Sequence, residues 1–125
     1  MVLRTLLDTN AVLYLLGGRL AEPLEADEYF VSVISEIELL SYPSLDEEAE
    51  RQIRAFLWRI ALVDLTAPIR NAAIQLRRQH TLKVPDAIVA ASALVLDAQV
   101  FTNDQHLLQI PGLRSRCLRL KESRS

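Results

Sequence analysis

The sequence predicts an α/β fold with a mostly parallel sheet, and three observations predict it. Short β-type runs alternate with helical patterns along the chain. The helix of residues 87–98 is apolar on nearly every face, so it must be buried on several sides. Behind it, Val100-Phe101-Thr102 reads as a short, fully buried strand. The apolar run of residues 87–96 is far shorter than the roughly 20 residues a membrane span needs.

The elements follow in order. Residues 2–7 form a β-type run that stops at Asp8-Thr9-Asn10. Helical spacing then places Val12, Leu15 and Leu16 on one face, and Gly17-Gly18 ends that helix. Residues 21–26 read as a short helix, and residues 29–33 as the second strand. Ser35 has the spacing of an N-cap, with Glu38 as its capping-box partner, and Tyr42-Pro43 breaks the helix that follows. Residues 46–60 form an amphipathic helix with Ala49, Ile53, Phe56, Leu57 and Ile60 on its apolar face. Residues 62–65 are a third strand, and residues 68–80 a helix with Ile69, Ala72, Ala73 and Leu76 as its buried stripe. Pro85 fits the first turn of the organising helix, where its missing N–H costs nothing. Residues 105–109 make a helical turn, Pro111-Gly112 breaks it, and residues 116–120 read as an edge strand.

The chain of 125 residues fits one domain, residues 1–125, with residues 121–125 frayed at the end. Half of its residues are hydrophobic and only 3 Gly and 5 Pro interrupt them, which excludes a disordered chain. A net charge of −2 gives no strong field for or against nucleic acid. Cys117 is the one cysteine, so no internal disulfide forms and a reducing cytosol suits the chain. The start runs straight into a strand pattern and an acid, which predicts no signal peptide and a cytoplasmic protein without membrane segments.

Four acids coincide with one edge of the predicted sheet. Asp8 ends the first strand, Glu38 lies one helical turn past the second, Asp86 opens the buried helix, and Asp104 follows the strand after it. In open parallel sheets, sites form outside the carboxyl ends of the strands. Taken singly, each acid has a structural explanation: Asp8 as a helix cap, Glu38 as a capping-box residue, Asp86 as dipole compensation, Asp104 as a turn residue. Glu36, Asp97 and Asp46-Glu47-Glu48 lack that placement and read as surface charges. Two carboxylates about 4 Å apart repel by roughly 4 kcal/mol at an effective dielectric near 20. Four that meet therefore require protons or hard cations between them. An all-oxygen set without Cys or His suits Mg²⁺, or Mn²⁺, and disfavours zinc, since His80, His106 and Cys117 stand apart in the sequence. Such ions support attack of water on a phosphodiester without a side-chain nucleophile.

Leu6-Leu7-Asp8-Thr9-Asn10, Ser32 to Leu39, Pro85-Asp86-Ala87-Ile88-Val89-Ala90-Ala91 and Phe101-Thr102-Asn103-Asp104 resemble, in order and spacing, the PIN-domain ribonucleases and the VapC-type toxins among them. The resemblance implies a three-layer α/β/α domain with four to five strands. It implies Asp8, Glu38, Asp86 and Asp104 as the catalytic, metal-binding acids, with Asn10 and Thr102 as polar residues that orient them. It also implies a Mg²⁺-dependent endoribonuclease acting as the toxin of a toxin–antitoxin pair, with an RNA substrate, an antitoxin partner and a homodimer. Lys83, just before Asp86, is the best candidate for an RNA contact. Trp58 falls off its helix's apolar stripe and suits either an interface or a partly buried core position. Extra apolar surface on the helices of residues 10–16 and 35–40 fits a dimer. Two other readings stand beside this one. One is a non-catalytic interaction protein that docks a partner's Arg or Lys in the acidic pocket. The other, a phosphatase with Asp8 as nucleophile, is weakened by Asn10 standing where such enzymes carry a second Asp.

Overall fold

A computed structural model describes residues 2–122. Five strands form one sheet in the order β3-β2-β1-β4-β5: β1 (Arg4–Leu7), β2 (Glu28–Ser32), β3 (Ala61–Val63), β4 (Gln99–Phe101) and β5 (Ser115–Arg116). Every neighbouring pair is parallel. Six helices complete the chain: α1 (Thr9–Leu16), α2 (Val33–Leu40), α3 (Glu47–Trp58), α4 (Ala67–Gln79), α5 (Val84–Leu96) and α6 (Gln105–Leu108).

Successive strand residues point to opposite faces, and this divides the core in two. Leu6, Phe30 and Val100 pack with α4, α5 and α6 on one face. Leu7, Val31 and Phe101 pack with α1 and α3 on the other. The result is the expected α/β/α layering. The organising helix, α5, buries seven consecutive residues from Ala87 to Ala93. Its alanines let the backbone approach the sheet closely, and the buried Ser92 hydroxyl is satisfied by the Ile88 carbonyl at 2.7 Å.

The chain walks outward from β1 to β2 to β3, then returns to the other side of β1 as β4. The order therefore reverses between β1 and β4, and ligand crevices of open α/β sheets lie at such a reversal. Asp8 and Asp104 follow those two strands.

Several boundaries differ from the sequence reading, each for a local reason. Residues 21–26 form no helix. They run as irregular chain, and their start is pinned to the C-terminal stretch: Leu20 forms an antiparallel bridge with Leu120, Ala21 N–H donates to the Arg119 carbonyl and Lys121 N–H to the Arg19 carbonyl, both at 2.8 Å. Lys121 is therefore tied down, while residues 123–125 of the expected frayed tail lie outside the described residues. The N-cap of α2 is Ser32, whose hydroxyl accepts from Ile34 N–H at 3.1 Å. Ser35 is instead a fully buried residue inside the helix, and Glu38 is not its capping-box partner. Strand β3 stops at Val63, short of Leu65, and β5 is two residues long. Helix α5 ends at Leu96 because Asp97 takes a left-handed conformation (φ 54°), which Asp tolerates better than most residues. Asp97 is also ion-paired with Arg114 at 2.8 Å.

Candidate metal centre at the strand ends

Asp8 caps α1. Its Oδ1 accepts the Ala11 N–H at 2.7 Å, and its Oδ2 accepts the Thr102 hydroxyl. The same Thr102 oxygen accepts the Asp104 N–H at 3.0 Å. One buried threonine at the end of β4 thus ties the first acid to the loop that carries the last. Asp104 caps α6 by accepting the His106 N–H at 2.8 Å.

Glu38 projects from the second turn of α2 and accepts the Thr9 hydroxyl at 2.8 Å. That uses the single Thr9 proton, so the buried Ser35 hydroxyl, 3.0 Å away, donates to Thr9 in turn. This Ser35–Thr9–Glu38 chain escaped the sequence reading, which took Ser35 for a cap. The usable signal was the helical spacing of Ser35 and Glu38, three residues apart and hence on one face.

Asp86 sits half-buried in the first turn of α5, and no hydrogen bond to its carboxylate is found among the described residues. Burial pushes its pKa up, and the negative charges of Asp104 and Glu38 push it further. The nearby charges of His106 and Lys83 oppose the rise. Asp8, only 8% exposed, is also raised, first by burial and then by Asp104 and Glu38, against the lowering effect of Thr102 and Ala11 N–H. Asp8 and Asp86 thus feel the same two carboxylates, Asp104 and Glu38.

Among the described residues no group of three or more His, Cys, Asp or Glu side chains is gathered closely enough to hold a metal ion. Three of the four carboxylates are tied to hydrogen-bond donors instead. The donor set is all oxygen and fits a hard divalent ion.

The chain matches the family model described as PIN domain over residues 5–113. It belongs to the PIN domain family. No curated protein matches the chain. Among solved structures, this chain is similar to a chain of VapBC2 from Rickettsia felis bound to a promoter DNA fragment, with TM-score 0.78 and 20% identity over 93% of this chain and 99% of that one. DNA-bound VapBC from Salmonella typhimurium gives TM-score 0.76 and 21% identity over 92% and 98%. A toxin–antitoxin complex from Klebsiella pneumoniae gives TM-score 0.72 and 26% identity over 87% and 94%.

The other expected site residues of this PIN domain divide. Thr102 contacts Asp8 as described. Asn10 is exposed, and its side chain makes no hydrogen bond to an acid among the described residues, because α1 turns it outward. Lys83 precedes α5 and lies close enough to act on Asp86. His106, read from the sequence as isolated, is brought to Asp86 by α6. Trp58 is 91% exposed, which removes the core alternative. No helix among the described residues is long and apolar enough to cross a membrane.

Proposed function

We propose that this PIN domain is a Mg²⁺-dependent endoribonuclease and the toxin of a toxin–antitoxin pair, acting in the cytoplasm. One observation carries the reading: at the strand-order reversal the buried Thr102 hydroxyl ties Asp8 to the loop of Asp104, and Asp8 and Asp86, both raised chiefly by burial, also feel Asp104 and Glu38. In this reading Asp8, Glu38, Asp86 and Asp104 hold Mg²⁺ or Mn²⁺. A divalent ion held there would supply positive charge for lowering the pKa of a water and for offsetting the charge of a leaving oxygen. Thr102 keeps Asp8 and Asp104 in register, and the Ser35–Thr9 pair fixes one oxygen of Glu38, leaving the other free. Lys83 offers its charge to an RNA phosphate beside Asp86.

Similarity to a chain of the Klebsiella pneumoniae toxin–antitoxin complex supports an antitoxin partner here. Exposed Ile37 and Tyr42 at the end of α2 support a homodimer. The test is cleavage of RNA by purified protein with Mg²⁺, its loss in EDTA, and its loss in Asp8→Asn. Cleavage retained by Asp8→Asn would point to a contaminating nuclease.

That no metal-holding group of acids is gathered among the described residues favours a second reading, in which the acids dock an Arg or Lys of a partner without catalysis. That reading predicts growth arrest by the wild type and by Asp86→Asn alike. A phosphatase reading fares worse, because both Asp8 oxygens are already engaged.

A further inference from the structure

A groove of about 550 Å³ runs between α4 and the start of α5, beside the acidic pocket. Leu65, Ile74, Val84 and Ile88 are among its apolar lining, and Arg70, Arg77 and Arg78 stand around it. Val84 and Ala87, on either side of Asp86 in sequence, line the groove from the same first turns of α5 that carry Asp86. The three guanidiniums differ from most others on the surface. Arg4, Arg51, Arg54, Arg114 and Arg119 are each paired with a carboxylate. Arg70, Arg77 and Arg78 have no such partner among the described residues. Two of them are nonetheless fixed: Arg70 donates to the Leu65 carbonyl and Arg77 to the Leu82 carbonyl, each at 3.0 Å. A neutral carbonyl orients a guanidinium without cancelling its charge.

We infer that this groove holds the single-stranded RNA that flanks the scissile phosphate, an inference that rests on the proposed ribonuclease reading. Phosphates are repelled by four carboxylates, so a substrate needs cations close by. The groove supplies three, two of them already fixed by backbone carbonyls, alongside the helix that carries Asp86. Arg70 and Arg77 lie two turns apart on one helix, about 10 Å along its axis. No aromatic ring lines the groove, so base stacking contributes little and binding rests on phosphate charge. Recognition here is therefore blind to base identity. A second copy fits poorly, since a two-fold contact sets each patch against itself and brings like charges together.

The test is fluorescence anisotropy of a short labelled oligouridylate and the matching oligoadenylate, in EDTA so that nothing is cut. The proteins compared are wild type, the Arg70→Gln/Arg78→Gln double variant, Arg78→Gln alone, and the paired-arginine control Arg51→Gln/Arg54→Gln. Arg78 makes no hydrogen bond among the described residues, so its variant keeps the test valid if the double variant folds badly. The expected result is an affinity loss of about tenfold in the double variant for both oligonucleotides, with a salt slope shallower by about 0.7 for each phosphate no longer neutralised. Arg78→Gln loses less, and the control nothing. Equal affinity and slope in wild type and groove variants overturns the inference. So does an unchanged affinity accompanied by loss of self-association in sedimentation, which assigns the groove to a second copy. RNA that binds as described but stays uncut when Mg²⁺ is supplied overturns the ribonuclease reading and not this one.

Discussion

Asp8 and Asp86 share a pocket and a direction of pKa shift, but they are held in opposite ways. Asp8 is buried, caps a helix, and has both oxygens engaged by Ala11 N–H and the Thr102 hydroxyl. Asp86 is half-buried and without hydrogen-bonded partners among the described residues, balanced only by the nearby charges of Lys83 and His106. Removing Asp8 therefore damages the fold as well as the site. Removing Asp86 relieves a repulsion at the cost only of a favourable charge at the N-terminus of α5. A carboxylate with so small a folding role points to a ligand, so Asp86 says more about function than Asp8 does.

Alanine at either position gives the greatest change and probes that contrast. Asp8→Ala and Asp86→Ala both lower Mg²⁺-dependent RNA cleavage by at least about a hundredfold. Their stabilities in EDTA diverge. Asp8→Ala leaves a cap N–H and a buried hydroxyl unpaired and costs about 2 kcal/mol in denaturant unfolding. Asp86→Ala is as stable as wild type or more so. Equal destabilisation of the two would erase the distinction.

Next in size is Thr9→Val, which deletes the donor that orients Glu38. Mg²⁺ affinity, followed by titration with thermal unfolding as readout, falls about tenfold, as for other residues that orient a ligand. Thr9→Ser restores it. A mere packing defect would lower the melting temperature of Thr9→Val without moving the Mg²⁺ dependence.

A smaller effect is the pH dependence of metal-free stability. Asp8 and Asp86 have folded pKa values above their ordinary 3.8, so between the two values the native state binds more protons than the unfolded state. Their contribution is fully present below the ordinary value and is lost as pH rises through the raised one. Urea unfolding in EDTA should show this loss shrinking in Asp86→Asn and shrinking further in Asp8→Asn/Asp86→Asn. Weakest of all is Lys83→Gln, which raises KM for RNA about two- to threefold with kcat unchanged, since one exposed charge is worth little. An unchanged KM removes Lys83 from the RNA path.

The parts of this molecule legible in sequence are those set by local pattern. The all-apolar α5, the amphipathic α3 and the positions of the four acids relative to strand ends follow from periodicity and punctuation. Non-local partners decided the rest. Residues 21–26 have helix-compatible spacing, but their backbone is captured by a segment about a hundred residues away. Ser32 takes the cap from Ser35 because β2 ends at Ser32, one residue before the expected strand end, and α2 starts at once at Val33. The Thr9–Glu38 bond and the approach of His106 to Asp86 join distant stretches, and no spacing rule reports such a meeting. Asn10 shows the converse: its motif position is right, but a helix one residue into its first turn faces it outward.

If the shared negative pocket exists to hold a divalent ion, calorimetric titration of Mg²⁺ into wild type and Asp86→Asn will show it. The wild type then binds saturably, with release of protons below neutral pH, and Asp86→Asn binds at least about tenfold more weakly with no loss of fold. Equal binding by the two proteins, or none by the folded wild type, contradicts a metal-holding role for the four acids.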